Sequence, residues 1–447
     1  MIAEAVLKSV QEANAMRLRK IANARRAYAG DYDRPLLKSK SDPDARDNTM
    51  LNLGAVVVNK GVSFLMGNDV QWEVGDGASE IEKRAKCDLD AIWKQNKRML
   101  FMNNIAQNGG ITGDMFIKIM PPREHLGETL PRLINLDPAT VEPILGMDDC
   151  DTAEGYVIQW NAMDNGTPVV RRQIISPVGD NTWEILDQIS RGNQSNWVLL
   201  SRDVWPYPWP PIFHGNNLPE SNVYFGISDL EAHVISVNNA VNMVISNINR
   251  ILRSHAHPKT WGHGFAANNI DMSVDTLTVL PSKEAELHNL EMVSDLSSSL
   301  NVYQALKDVY FEISGIPQVA LGRLDNVGNL SGLALKVLYQ ALLEKNNTKQ
   351  LFYGSMFGEL NGRLLELRGL PAGIDVGTVW QNPLPTDKYD EIQQATALQE
   401  IGVSKKTLLT DLGFDPEEEA ERRAEEANES TMGAAILDQF DKGSLPE

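Results

Sequence analysis

Cysteine is nearly absent: the 447-residue chain has two, Cys87 and Cys150. Two thiols cannot build a disulfide framework or a cysteine-rich zinc cluster, and the chain reads as one made in a reducing cytosol. Aromatic residues are scarce at 7%, too thin for a surface that stacks on sugars or bases. No stretch approaches the ~18 consecutive apolar residues of a membrane-spanning helix, so no membrane is expected among its partners. The amino-terminal MIAEAVLKSVQEANAMRLRK lacks the continuous apolar core of a signal peptide and reads as an amphipathic helix. Positive charge is short too: 41 Lys and Arg against 60 Asp and Glu leave a net charge of −19. A protein that grips nucleic acid by neutralising phosphates carries the opposite balance, so tight non-specific DNA binding is disfavoured for the chain as a whole.

Catalytic signatures are missing as well. There is no GxxxxGK[ST], GxSxG, HExxH or GxGxxG pattern. GNLSGLALK looks like a phosphate loop, but its glycine spacing is wrong and no Ser or Thr follows the lysine. The acids of DGASEIEK (Asp76 to Lys83) sit where a helix begins, where they favour the helix dipole without forming a metal site. His255, His257 and His263 are close in sequence, but no Cys or acidic ligand stands near them, and surface or interface histidines are expected. The expectation is no catalytic residue, no metal, no cofactor and no enzymatic activity.

What is present is a folded chain, 42% hydrophobic and 23% charged, long enough for two or three domains. Residues 1–29 read as a helix whose end concentrates Arg17, Arg19, Lys20, Arg25 and Arg26, either a solvated face or a surface for an acidic partner. Helical spacing recurs over Asn52–Met66 and Ser79–Asn108, the latter stopped by Gly109-Gly110. From Asp114 to about Leu199 the pattern becomes short strands, MFIKIM, YVIQW, VVRRQIIS, TWEIL and WVLL, a β-meander closed by the rigid connector WPYPWPP. Ser228–Ser254 is a long helix, with Ser228 as N-cap. Its polar face (Ser236, Asn238, Asn239, Asn242, Ser246, Asn249) is uncharged, which suits packing against copies of itself or a surface that does not grip charge. A small excursion with a strand at Thr276–Leu280 leads to a return helix, Leu296–Ile313, making a helical hairpin. Between this hairpin and a long helical run over Leu333–Arg368, with Gly354, Gly358 and Gly362 as weak points, lies a Gly- and Asn-rich loop. A strand in VGTVWQNPLP, two or three further helices and a loosely ordered tail complete the reading. The fold class is α+β, mainly helical.

Three blocks in this order carry a family resemblance: GDYDRPL followed by NLGAVVVNKGVSFLMGNDVQWEV, then SGIPQVALGRLDNVGNLSGLALKVLYQALLEKN, then VSKKTLLTDLGFDPEEEAERRAEE. Together they resemble the portal proteins of tailed bacteriophages. The resemblance implies a mixed α/β wing over 1–227 and a stem whose helices are 228–254 and 296–319. It implies a small α/β clip at 255–295, a tunnel loop at 320–332, a kinked spine helix and wing completion at 333–386, a helical crown at 387–430 and a flexible tail at 431–447. It further implies a ring of copies, typically twelve, at one capsid vertex of a virion assembled in the host cytoplasm. Double-stranded DNA passes through that ring during packaging and ejection, without sequence specificity. Implied partners are the large terminase motor, capsid or scaffold proteins, and head-completion or tail connector proteins. Leu324, Asp325, Asn326, Val327 and Asn329 would face DNA from the tunnel loop, with Val327 at its tip. Arg250, Arg253, His255, His257 and Lys259, at the stem end, would touch DNA or a partner. The rival readings are another head–tail adaptor protein and a metal-dependent nucleic-acid enzyme.

Overall fold

Antiparallel sheet and long helix share the chain in the computed structural model, which describes residues 4–32, 48–75, 77, 79–149, 151–179, 181–192, 196–256, 260–264, 284–289, 296–321, 336–384, 388–411, 419–420 and 422–423. The first helices are α1 (Glu4–Ala29) and α2 (Leu53–Met66), the latter capped by Asn52, whose side chain accepts from the Ala55 amide. Strand β1 (Gln71–Val74) precedes α3 (Glu80–Gln95). Ser79 and Glu82 close a capping box at the start of α3, so Glu80 and Glu82 of the DGASEIEK segment serve the helix end, while Asp76 lies outside the described residues.

The single helix expected over Ser79–Asn108 is two. Lys97 adopts a left-handed conformation (φ 55°), and α4 (Arg98–Thr112) starts afresh after it. Nor do Gly109 and Gly110 stop α4; they lie buried inside it, and Gly113 (φ 92°) ends it. The glycines are there for room. A Cβ on Gly109 would stand 2.3 Å from the Tyr353 hydroxyl, and one on Gly110 3.0 Å from the Asp229 carboxylate.

All five strands expected from the sequence form, but MFIKIM stands in a different sheet from the other four. β2 (Asp114–Met120) lies between β3 (Arg132–Leu136) and β9 (Ile212–Asn216) in a three-stranded sheet. β4 (Val141–Leu145), β5 (Ala153–Asp164), β6 (Thr167–Pro177), β7 (Trp183–Ser190) and β8 (Val198–Trp205) form a five-stranded antiparallel sheet in sequence order. Phe116, Ile212, Val141, Tyr156, Ile158 and Ile175 fill a core shared by the two sheets. The connector Trp205–Pro211 packs Trp205, Tyr207 and Trp209 on one another, and Trp209 donates to Glu366 at 2.8 Å.

The chain then makes a hairpin of α5 (Ala232–Ala256) and α6 (Leu296–Ser314). In the span between them, β10 (Thr260–His263) pairs antiparallel with β11 (Glu286–Asn289); the expected strand Thr276–Leu280 lies outside the described residues. The long helix after the loop is α7 (Gln340–Leu367), and β12 (Val376–Val379) pairs with β1. Gly354, Gly358 and Gly362 do not interrupt α7. They form a shallow track for the returning strand: a Cβ on Gly358 would meet the Val376 carbonyl at 3.0 Å, while Gly354 faces Thr378 and Gly362 faces Ile374. Four helical residues rise ~6 Å and two strand residues ~6.6 Å, so the two backbones stay in step. The main core gathers Trp72, Trp93, Met102, Ile105, Tyr353, Phe357, Leu360 and Leu364 from these elements.

Residues 1–328 and 336–383 form one compact unit, and 329–335 with 384–447 a second. The second contains α8 (Lys388–Glu400) and α9 (Lys405–Asp411). The Ser404 hydroxyl accepts from the Thr407 amide at 3.2 Å and so caps the start of α9.

Candidate functional site: the root of the helical hairpin

The α5–α6 hairpin is the feature on which the functional reading turns, and its root is fixed by three polar devices. The first is ionic. Asp229, three residues before α5, is buried between two lysines of α7: Lys349 Nζ lies 2.6 Å from one carboxylate oxygen and Lys345 Nζ 2.9 Å from the other. Lys345 also donates to the Ser314 carbonyl at 2.9 Å, one of the unpaired carbonyls at the end of α6. One lysine thus ties the start of one hairpin helix to the end of the other. Burial alone would push the Asp229 carboxyl up, but the two ammonium groups outweigh it and hold it at about 2. Burial lowers Lys349, opposed by Asp229. Asn217 and the Tyr353 hydroxyl extend the network, at 3.4 Å and 3.2 Å.

The second device resolves the uncharged face of α5. Asn238, Asn242 and Ser246 accept from the backbone amides of Leu53, Leu51 and Thr49, at 3.2, 2.8 and 2.9 Å. Asn238 also donates to the Leu51 carbonyl and Asn249 to the Thr49 hydroxyl. Steps of four on the helix match steps of two on the extended segment, as at the glycine track of α7. The side chains act as a strand's edge would, so this part of the face is spent within the chain. Ser228 does not cap α5; its hydroxyl donates to Gly110 and Ile111 carbonyls and accepts from the Leu230 amide.

The third device absorbs the basic end of α1. Arg17 donates to Asp114 at 3.3 Å and to the carbonyls of Pro138 and Val141, and lies 4.2 Å over the Phe225 ring. Asp114 also accepts from the Gly226 amide at 2.9 Å and contacts His214 Nε2 at 3.0 Å. Arg25 pairs with Asp137 and Arg26 with Asp31. The acidic partner of these three arginines is their own chain.

Among the residues singled out from the sequence, Arg250 lies in α5. Arg253 and His255 belong to α5 by backbone, and their side chains fall outside the described residues. His257, Lys259, Leu324, Asp325, Asn326, Val327 and Asn329 lie outside the described residues altogether, as does Cys150; Cys87 is an exposed free thiol. His263 and His288 flank Glu286 on the β10–β11 ribbon at 3.4 and 3.1 Å. Among the described residues no group of three or more His, Cys, Asp or Glu side chains has the geometry to hold a metal ion, and no helix is long and apolar enough to cross a membrane. Sequence reasoning missed the Asp229 cluster. Its only local trace is a pair of lysines one turn apart in EKNNTK, with no sign of a carboxylate 120 residues away.

The family model described as phage portal protein, SPP1 Gp6-like, matches residues 7–158 and 221–432, taking in the hairpin, the mid-chain loop and α7. The chain belongs to the phage portal protein family. The unmatched interval, 159–220, holds most of the five-stranded meander and β9. The family is a structural, non-enzymatic capsid component, which settles the enzyme reading against catalysis. No curated protein matches the chain. Among solved structures, a chain from the neck of an empty gene transfer agent particle, computed with C6 symmetry, is similar at TM-score 0.52 and 13% identity, covering 89% of this chain and 94% of that one. A chain from the neck of the native particle, computed with C12 symmetry, is similar at TM-score 0.51 and 12% identity, covering 89% and 99%. A chain from the native gene transfer agent virion gives TM-score 0.50 at 12% identity, covering 89% and 94%. At such identities the likeness concerns the portal fold, and it spans nearly the whole chain.

Proposed function

We propose that this portal protein closes into a homo-oligomeric ring, of twelve copies, at one vertex of a phage-like capsid. Double-stranded DNA passes through the ring during packaging and ejection. The observation that carries the reading is the family match running continuously from 221 to 432, through hairpin, loop and long helix. The rotational symmetry of the gene transfer agent necks supports a ring, and the C12 symmetry of the native particle's neck supports the number twelve. Within it, 1–227 is the wing, 228–254 and 296–319 the stem, 255–295 the clip, 320–332 the tunnel loop, 333–386 the spine and wing completion, 387–430 the crown and 431–447 the tail. The clip docks the terminase motor and later the connector proteins, and capsid or scaffold proteins hold the ring at its vertex.

The net charge of −19 suits a conduit whose cargo must slide, because like charge keeps phosphates from adhering. Pairing of Arg17, Arg25 and Arg26 with acids of their own chain removes three cations that could trap DNA. Leu324, Asp325, Asn326, Val327 and Asn329 form the constriction, and Arg250, Arg253, His255, His257 and Lys259 meet DNA or partner at the stem end. The test is packaging with a chain lacking residues 323–330. Rings assemble as before, while packaged DNA length or retention changes. Packaging and retention equal to the intact chain would contradict the assignment of the loop.

A further inference from the structure

Strand β8 ends the five-stranded sheet, and among the described residues no strand pairs with its outer edge. All but one of its residues are exposed, with Val198, Leu199, Leu200 and Val204 at 56, 53, 50 and 68%. The other edge of the same sheet is closed. β4 has no exposed residue, Pro143 has no amide to offer, and the Val141 carbonyl accepts from Arg17 at 3.2 Å. An open edge with apolar side chains is a template for another strand, and proteins blunt such edges unless they use them.

The blunting of β8 is partial. Asp187 pairs with Ser201 and Gln188 with Leu199, so Leu200 is the extra residue of a bulge. Beyond it, 201–205 pair without interruption with 183–187, which leaves ~17 Å of regular edge. Arg202 and Val204 lie on one face of this run, and Ser201 and Asp203 on the other. The Ser201 hydroxyl donates to the Asp203 carboxylate at 3.0 Å, and among the described residues no cation pairs with that carboxylate.

We propose that β8 is completed by an extended peptide arm of a second protein of the particle. The arm adds as a sixth strand along 201–205, apolar at alternate positions, with a Lys or Arg beside Asp203. Backbone hydrogen bonds supply the affinity, and the side chains select the peptide. The inference rests on the ring reading in one respect, the exclusion of a second copy. A ring repeats one rotation, so neighbours meet through two different edges, and β4, the edge that β8 would need, is closed. β8 against β8 is a two-fold contact, which makes pairs and no ring. DNA does not fit, because the strand's single cation, Arg202, is paired with Glu184. The strand also falls within 159–220, outside the family match, where a partner peculiar to this particle is better placed than a contact common to all portals.

The test uses the full chain and an end-capped, eight-residue synthetic peptide that alternates Val and Thr about a central Lys. Excess peptide slows amide hydrogen exchange at 198–205 by at least about fivefold and leaves β4 unchanged. The same peptide N-methylated along one edge keeps its side chains, loses its donors and gives no protection. Asp203→Lys, at an exposed position, unfolds at the parent temperature. It binds the Lys peptide about two- to fivefold more weakly and prefers the Glu counterpart, as a cross-strand charge pair requires. No protection by the Lys peptide, or equal protection by the methylated one, overturns the proposal. Equal binding of the Lys and Glu peptides by the parent overturns the basic character of the arm. Pairs of chains in native mass that the peptide separates assign the edge to a second copy and overturn the proposal, as does a DNA duplex that protects 198–205. Rings whose β8 the peptide leaves unprotected refute the proposal alone, and a chain that forms no ring but is protected at β8 refutes the ring reading alone.

Discussion

Lys349 and Asp229 meet at 2.6 Å, each side chain no more than 3% exposed, at the point where the hairpin joins the long helix α7. Replacing Asp229 by Asn leaves two ammonium groups facing a neutral amide. Breaking a buried pair from one side costs about 3–5 kcal/mol, and thermal or denaturant unfolding reads it directly. The pH dependence has a defined sign. Asp229 is held at about 2 against an ordinary 3.8, so the unfolded chain binds the extra proton between those values and stability rises with pH there. The cluster's contribution is therefore full above about pH 4 and lost as pH falls through about 2. The Asp229→Asn variant lacks that acid-range loss; a variant as stable as the parent at neutral pH contradicts the ionic clamp.

Gly109 and Tyr353 test the claim that glycine in α4 makes room. A Cβ at 109 would stand 2.3 Å from the Tyr353 hydroxyl and 3.1 Å from Met115 Cγ. Gly109→Ala therefore destabilises by about 1–3 kcal/mol despite the better helix propensity of alanine. Adding Tyr353→Phe removes the clashing oxygen, and a double-mutant cycle shows recovery of more than half of the loss. Additive effects would show that the hydroxyl is not the obstacle.

The amide ladder makes a local prediction. Asn242→Ala removes the acceptor of the Leu51 amide and leaves a part-buried donor unpaired, at a cost of about 1–3 kcal/mol. Hydrogen exchange should accelerate at Leu51 and its neighbours Thr49 and Leu53 before it does in the main core. Uniform acceleration across the unit contradicts a local zipper.

Lys118 joins the two sheets, donating to Gln173 from a buried position. Burial, opposed by Asp187 and reinforced by Arg171, lowers its ammonium to about 8. Between pH 8 and the ordinary 10.5 the unfolded chain carries the extra proton, so stability attributable to this group rises with pH. Lys118→Met is then more stable than the parent at pH 7 by about 1–3 kcal/mol, less what Gln173 loses as an acceptor. The advantage shrinks as pH rises through that window; an advantage that grows with pH reverses the assignment.

What could be read without coordinates followed the periodicity of local residues. The spacing in α1, α2, α6 and the meander strands and the helix start placed in DGASEIEK are local patterns, and each holds. One failure is local, the left-handed Lys97 that splits the helix expected over Ser79–Asn108; the others are long-range. Gly109-Gly110 read as a helix stop because a sequence shows that glycine permits a turn, not that Tyr353 and Asp229 press on it. Gly354, Gly358 and Gly362 read as weak points because the strand they seat comes later in the chain. The uncharged row on α5 was visible, yet the backbone of 49–53 that satisfies half of it lies about 190 residues earlier. The Asp229 cluster joins residues 120 apart and left no spacing to find. The residues carried over from the family resemblance, in the mid-chain loop and at the stem end, are legible only as a resemblance.

Electron microscopy of the purified full-length chain, over a range of salt and protein concentrations, tests the central claim most directly. The account predicts closed rings with a central hole wide enough for a DNA duplex. Single chains or dimers under every condition would contradict it.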